Sequence, residues 1–203
     1  MLKYHRLFAV LIGLSLCSAV SAAPPPMIGP WVMPAIKAGP MHPLPHAAYQ
    51  PSKTTTYKAI FAVTRPSKGP TDPDGGLTPV ARAVNIFASA GVPYKHMKFV
   101  VLIYGMAASP MVMDNTHYKK RFGKDNPNLK VIHELHAAGI KVVVCGQALA
   151  ASGIRHSWVD PDVTIALSAL STMVILQNQG YAVLHWGYRG SPAARDRLRR
   201  DTW

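Results

Sequence analysis

The sequence predicts an α/β domain built on an open, mostly parallel five-stranded sheet with helices on both faces. Three observations support this prediction: five short apolar runs typical of buried strands, helical patterns between them, and a length of 203 residues that suits one domain with tails. Strands that alternate with helices form parallel sheets, because each helix returns the chain to the edge where the strand began. Apolar residues make up 49% of the chain and charged residues only 15%, so a sizeable core can form.

Residues 1–22 predict a secretory signal peptide. Lys3, His5 and Arg6 form a short basic region, the apolar run LFAVLIGLSLCSAV follows, and small residues precede a cleavage point after Ala22. The apolar run is shorter than the roughly 20 residues that a membrane-spanning helix needs. An uncleaved anchor is the alternative. We therefore expect a periplasmic or secreted protein without stable membrane insertion.

Residues 23–56 are rich in proline, which excludes helices and central strands. We predict an irregular arm, part of which docks on the domain through Trp31, Val32 and Ile36. Thioether and imidazole groups suit copper, so copper handling by this arm is a weak alternative function. The spacing of the candidate ligands follows no pattern, however: they are Met27, Met33, Met41, His42 and His46.

The domain is predicted over residues 57–187. Five apolar runs predict strands at 57–64, 98–105, 140–145, 162–167 and 181–186. Periodicity and capping residues predict helices from Leu77 to Gly91, over 112–122, from Pro127 to Gly139, over 147–152, and from Leu170 to Gly180. Residues 106–111 are predicted as a loop. Residues 188–203 form a basic tail without an apolar stripe, which we expect to be largely disordered.

The formal charge of +13 is concentrated near the two ends of the chain. Basic residues at the C-terminus can attract nucleic acid or anionic lipid, but the export signal disfavours nucleic acid, and we interpret the tail as solvated charge. The sequence contains neither the G-x-G-x-x-G motif nor the Walker motif, the two glycine-rich loops that bind phosphate. We therefore expect no nucleic-acid partner and no cofactor.

Cys145 is the first candidate for chemistry. Cleavage of the signal peptide would remove Cys17, which leaves Cys145 as the single cysteine and excludes an internal disulfide. The remaining thiol is then buried and inert, paired with another molecule, or chemically active.

The predicted position of Cys145 favours a chemical use. It ends the third strand, and sites in open parallel sheets form at the carboxyl ends of strands. Gly105 and Gly146 also stand at strand ends, where glycine lets the backbone turn and leaves space above it. Backbone amides at the start of the next helix, including those of Gly146 and Gln147, would stabilise a thiolate. The alternative is a buried cysteine that acts as a small apolar residue.

Three further residues are candidates for a polar shell around the thiol. His117 and Tyr118 follow the second strand, Asn126 precedes the next helix, and the topology can bring this region over Cys145. The alternative is that all three are ordinary surface loop residues. The stretch HELH, His133–His136, lacks the i, i+4 histidine spacing of a metalloprotease helix. We assign it to solvated helix residues and assign no metal ligands; the alternative is weak metal binding by the two histidines from one helix face.

Four linked motifs resemble the DsrE/DsrF-like family, and in particular its exported members. These motifs are Asn-Pro-Asn (126–128), Leu-x-x-Ala-Gly (135–139), Cys-Gly-Gln (145–147) and Gln-x-x-Gly-Tyr (177–181), within a resemblance that covers about residues 57–186. The resemblance implies a flavodoxin-like domain that assembles as trimers or hexamers. It also implies that Cys145 matches the cysteine that carries a persulfide in sulfur-relay members.

These features lead to one functional hypothesis and one principal alternative. The hypothesis is a periplasmic carrier that accepts sulfane sulfur on Cys145 and passes it on. Its partners would be sulfur donor and acceptor proteins, or small persulfides and polysulfides. The alternative is a non-catalytic module for ligand binding or assembly, in which Cys145 is buried. Enzymatic turnover is not implied, although any such activity would resemble that of a sulfurtransferase.

Overall fold

One sheet contains all five strands of the described chain: β1 (Tyr57–Val63), β2 (Met97–Ile103), β3 (Lys141–Cys145), β4 (Val163–Ala166) and β5 (Ala182–His185). The computed structural model describes residues 30–66, 69–72, 76–106 and 108–185. The sheet has the order β4-β3-β2-β1-β5, and each neighbouring pair is parallel. The predicted α/β class with an open parallel sheet is confirmed. The predicted signal peptide and basic tail lie outside the described residues.

Five α-helices connect or flank these strands: α1 (Leu77–Ser89), α2 (Asn115–Phe122), α3 (Leu129–Ala137), α4 (Gly146–Ala151) and α5 (Ala169–Asn178). Short 3₁₀ helices occupy Tyr94–His96, Ser109–Val112 and His156–Trp158. In the part of the chain that the structure describes, no helix is long and apolar enough to cross a membrane.

Side chains alternate between the two faces of the sheet, and each face has its own apolar cluster. The larger cluster packs Phe61 and Val101 of the sheet against α1 and α3. The smaller cluster contains Leu102, Val143 and Cys145, which pack against α5. Helices therefore cover both faces, as the sequence predicts.

Two helix starts differ from the predicted ones. The second helix begins at Asn115, because the Asp114 carboxylate caps it by accepting a 2.8 Å hydrogen bond from the N–H of His117. The preceding Ser109–Val112 is a 3₁₀ helix instead of a loop. The prediction that α3 starts at Pro127 is wrong by a short distance: Asn128 is its N-cap.

The described part of the arm packs on the domain. Ile36 is buried in the larger cluster, and Val32 pairs with Met41 in an isolated antiparallel bridge. Trp31 remains largely exposed and its ring lies 3.7 Å from that of His42. Met41 is buried while Met33 is exposed, and Met27 lies outside the described residues.

Candidate functional site: a buried thiol at the end of a central strand

Cys145 lies at the carboxyl end of β3 and carries the free thiol of the described chain. The residue is only 6% exposed. Because side chains alternate along a strand, Cys145 shares a face with Val143 and belongs to the smaller apolar cluster. This is the face that α5 covers, so the thiol meets the beginning of α5.

The sulfur has a specific polar contact at this helix start. The backbone N–H of Ala169, the first residue of α5, donates a 3.2 Å hydrogen bond to Sγ of Cys145. Ser168 caps the same helix by accepting a hydrogen bond from the N–H of Ser171. The amino end of a helix carries partial positive charge, which stabilises an anion placed there. The arrangement can therefore stabilise a thiolate within an otherwise apolar cluster.

The sequence prediction placed the stabilising amides at the start of α4, whereas the described hydrogen bond comes from α5. The physical reason is the direction of the side chain. Cys145 is itself the N-cap residue of α4 and makes no side-chain cap hydrogen bond there. Its Sγ instead faces the cluster under α5.

Gly146 and Gln147 contact the segment between β4 and α5. A Cβ atom on Gly146 would lie 2.8 Å from the carbonyl oxygen of Ala166, so this close approach requires glycine. The side-chain amide of Gln147 donates a 3.3 Å hydrogen bond to the carbonyl oxygen of Leu167. Both residues thus hold the 166–168 segment beside the cysteine.

Gly105 follows β2 and adopts φ +85°, with open space where a Cβ would lie. Its carbonyl oxygen accepts hydrogen bonds from the backbone N–H groups of Ala108 and Ser109. The preceding Tyr104 packs against the smaller cluster. Burial raises the pKa of the Tyr104 phenol. The phenol therefore stays neutral at ordinary pH.

His117 lies in a different environment, a cavity lined also by Met113, Lys120, Arg121, Arg155 and Trp158. Its Nδ1–H donates to Asp114 Oδ2 at 2.8 Å, and its ring stacks on Trp158 at 5.0 Å. Burial would raise the pKa of Asp114, but hydrogen bonds and charge from His117 outweigh that effect and leave this pKa below its ordinary value. The described contacts of His117 thus order the α2 start.

Tyr118 connects α2 to the loop between β1 and α1, and Asn126 connects the start of α3 to the segment before α2. The Tyr118 hydroxyl donates a 3.1 Å hydrogen bond to the Pro70 carbonyl, and its ring belongs to the larger cluster, on the face opposite Cys145. Burial raises the pKa of this phenol. The Asn126 amide donates to the carbonyl oxygens of Met111 and Met113 at 2.9 and 2.6 Å. The described hydrogen bonds of these two residues do not reach Cys145.

Sequence reasoning missed Ala169, which donates to the sulfur, the preceding Leu167 and Ser168, and Tyr104, which packs against the same cluster as Cys145. A signal for them exists in the pattern of strands. Cys145 pairs with Ala166 because β3 and β4 are parallel neighbours. The segment after β4 must then leave the sheet beside the thiol, and a serine that can cap a helix stands in that segment.

Comparison with known proteins assigns the chain to a family. The model of the DsrE/DsrF-like family matches residues 59–186. The chain belongs to the DsrE/DsrF-like family. Membership suggests involvement in sulfur relay, and the matched region of this DsrE-like chain includes Cys145 and the 166–168 segment.

Among solved structures, a protein of unknown function from Methanobacterium thermoautotrophicum is similar to this DsrE-like chain. The match has a TM-score of 0.44 and 17% sequence identity, and it covers 64% of this chain and 98% of the other. No curated protein matches the chain.

Proposed function

We propose that the protein carries sulfane sulfur as a persulfide on Cys145, in the periplasm or outside the cell. One observation carries the proposal: Sγ of a cysteine at the carboxyl edge of the sheet accepts a hydrogen bond from the first N–H of α5. Family membership supports a role in sulfur relay. Neither feature requires a cofactor.

The proposed chemistry consists of two exchanges that leave the total oxidation state unchanged. In the first, the Cys145 thiolate attacks the outer sulfur of a donor R–S–SH, the donor S–S bond breaks, and R–S⁻ leaves with the electron pair. The product is Cys145–S–SH. In the second, an acceptor thiolate attacks the outer sulfur and Cys145 leaves as a thiolate. The Ala169 N–H stabilises the Cys145 thiolate that attacks first and leaves second.

The number of cysteines in the mature chain determines which molecule supplies the thiol that accepts the sulfur. If signal cleavage removes Cys17, no second thiol of the same chain can resolve the persulfide as a disulfide. The acceptor thiol must then come from another molecule. A carrier of this type needs a protein persulfide, a small persulfide or a polysulfide as its sulfur donor, and a thiol of another molecule as its acceptor.

Access to Sγ has a structural route. Cys145 is 6% exposed, whereas Leu167, which follows the strand residue paired with Cys145, is 77% exposed. The Leu167 carbonyl is held by the Gln147 amide alone among the described side chains, at 3.3 Å. Movement of residues 167 and 168, which follow β4, would open the sulfur to a donor while β4 stays paired with β3.

The test is intact-mass measurement of protein purified from cells that express the full chain. After incubation with polysulfide and removal of excess reagent, wild-type protein gains about 32 Da per added sulfur atom. The adduct disappears on treatment with a thiol acceptor. Cys145→Ser protein gains nothing, and Cys17→Ala protein behaves as the wild type. A wild-type protein without an adduct, or a modified Cys145→Ser protein, would refute the carrier function.

The intact mass of the protein also shows whether the predicted signal peptide has been removed during export. Loss of residues 1–22 from protein recovered in the periplasmic fraction supports the proposed location. Retention of these residues with all protein in the cytoplasm contradicts it.

A second candidate function is a non-catalytic assembly module, which the low exposure of Cys145 favours. Apolar side chains next to the thiol are exposed instead of the thiol itself, with Leu167 at 77% and Leu170 at 80%. Titration with a thiol reagent separates the two candidates. A thiol that reacts in the native state supports the carrier, whereas a thiol that reacts only after unfolding supports the module.

A further inference from the structure

Two histidines of α3 meet two aspartates that precede β4. His133 Nε2–H donates to Asp160 Oδ2 at 3.0 Å and lies 4.0 Å from Asp162 Oδ2. One turn further along α3, His136 lies with Nδ1 2.9 Å from Asp162 Oδ1. The sequence spacing is unsuited to a metalloprotease helix, but the fold adds carboxylates that the HELH stretch alone does not contain. The group forms from two elements that are distant in sequence.

The geometry of this group matches a metal site. One ligand atom each from His133, Asp160 and Asp162 can be chosen so that all three lie within 4.8 Å of one another. Ligands bound to a metal at about 2.1 Å are roughly 3.0–3.4 Å apart. The His133 distances of 3.0 and 4.0 Å to the two carboxylates bracket this range. Small side-chain rotations would therefore bring the three atoms into coordination.

The charge of the group also favours a cation. The Asp160 side chain is 6% exposed, and burial of a carboxylate is costly without a compensating charge. Within the described ranges, the ion pairs of Asp160 and Asp162 involve histidine only. With neutral imidazoles the group has two uncompensated negative charges. A divalent cation would neutralise both.

The backbone holds Asp160 in place for this role. Its N–H donates to the Val112 carbonyl at 2.9 Å, and its own carbonyl accepts from the Val163 N–H at 3.0 Å. The Asp162 N–H donates to Asp160 Oδ1 at 3.0 Å, which leaves Oδ2 directed at His133. One carboxylate is thus pre-oriented and fixed, as is usual for a ligand supported by surrounding hydrogen bonds.

We propose that His133 Nε2, Asp160 Oδ2 and a carboxylate oxygen of Asp162 bind a divalent first-row transition ion such as Zn²⁺. The His136 imidazole, with Nδ1 2.9 Å from the remaining oxygen of Asp162, orients that ligand without binding the metal. Binding replaces the Nε2 proton of His133, which moves to Nδ1 in the neutral ring. Solvent completes the coordination, because His133 is half exposed.

The location gives the metal a structural role. Val163 begins β4, an edge strand of the sheet, and pairs with Val142 at the opposite end from the Cys145 pair. A metal there links α3 to the start of the edge strand. It lies at the amino end of β4, so its effects can be separated from those of the thiol.

Calorimetric titration of the full-chain protein with Zn²⁺ tests the proposal. We expect one equivalent to bind with a dissociation constant in the micromolar range or below, and to raise the melting temperature by about 5 °C or more. Co²⁺ serves as a second probe, because its visible absorption changes when nitrogen and oxygen ligands replace water. Both readouts are independent of sulfur transfer.

Five variants locate the site, of which two are controls. His133→Ala and Asp162→Asn change exposed or half-exposed positions and should weaken Zn²⁺ binding at least tenfold, while His136→Gln should weaken it by a smaller factor. His156→Ala changes an exposed histidine four residues before Asp160 in the sequence and should leave binding unchanged. Cys145→Ser should also leave it unchanged. The proposal is overturned if the wild type binds no stoichiometric Zn²⁺ below about 100 µM, or if His133→Ala and Asp162→Asn bind like the wild type.

Discussion

Gly146 shows how one residue controls the surroundings of the thiol. The carbonyl oxygen of Ala166 lies 2.8 Å from the position of a Cβ on Gly146, and backbone atoms cannot move away as a flexible side chain can. Gly146→Ala must therefore push the 166–168 segment outward. We expect a loss of about 1–3 kcal/mol in unfolding free energy and a faster reaction of Cys145 with a thiol reagent. Urea denaturation and reagent kinetics under native conditions measure the two effects.

Gly105→Ala provides the matched control. Gly105 has φ +85° but open space at its Cβ position, so alanine there strains the backbone without pushing a neighbouring chain. The expected cost is about 1 kcal/mol, with an unchanged thiol reaction rate. Equal acceleration in both variants would show that general loosening, and not the 166–168 segment, controls access to Cys145.

At the scale of elements, the strands could be predicted closely because each is a short apolar run between turn-forming residues. The start of α3 could not. Asn126 and Pro127 are typical of helix starts, but the Asn126 amide is occupied by carbonyl oxygens of the preceding 3₁₀ segment. Its Oδ1 accepts the N–H of Asn128. A contact across 13 to 15 residues thus decides a boundary that local propensity places earlier.

The candidate site, like the helices and strands, could be predicted only in part from the sequence. Position at a strand end identifies Cys145 from sequence, because apolar runs and following glycines mark such ends. The donor to its sulfur is Ala169, 24 residues away, and it is determined by strand order. Similarly, His133 meets Asp160 only through tertiary folding, and the sequence gives no local sign of that meeting.

Helix α5 has an apolar surface that the described chain leaves uncovered. Leu170, Val174 and Ile175 are 80%, 58% and 55% exposed, and Leu167, just before the helix, is 77% exposed. Exposed apolar patches of this kind mark interaction sites. We infer that a second copy of the chain covers this surface in a homo-oligomer.

Replacement of this surface tests the inference. Leu170→Asp combined with Val174→Asp places charge where a partner copy would bury apolar area. We expect wild-type protein to sediment as a trimer or hexamer and the double variant as a monomer that remains folded by circular dichroism. Ile86→Asp changes another exposed apolar residue, on α1, and should keep the wild-type mass. A monomeric wild type, or an unchanged double variant, contradicts this interface.

For the whole molecule, the arm is part of the folded unit and Asn85 is its main polar attachment. Asn85 is fully buried in α1, where its Oδ1 accepts the N–H groups of Ala35 and Ile36 at 2.9 and 2.8 Å. Its Nδ2 donates to the carbonyls of Ile36 and Gly39 at 2.7 and 2.6 Å. The sequence offers a signal for this contact: Asn85 lies four residues after Ala81 on the apolar stripe of α1.

Gly39 lets the backbone of the arm approach the backbone of α1 closely. A Cβ there would lie 2.3 Å from backbone atoms of Ala81 and Arg82, so the arm touches the α1 backbone directly. Asn85→Ala leaves this contact in place but removes four hydrogen bonds to buried or partly buried backbone groups. We expect a loss of about 2–4 kcal/mol in unfolding free energy and faster hydrogen exchange at residues 31–41.

Urea denaturation and hydrogen-exchange mass spectrometry measure these two effects together. Asn178→Ala, at the exposed end of α5, removes the same side chain from a position without this role. It should change the unfolding free energy by no more than about 0.5 kcal/mol and leave hydrogen exchange in the arm unchanged. Faster exchange confined to the arm would show that the arm can detach while the sheet stays folded. Faster exchange throughout the sheet would show instead that the arm and the α1 face unfold as one unit, because Ile36 belongs to the same buried cluster as α1 and α3. Unchanged stability and exchange in Asn85→Ala would contradict the attachment.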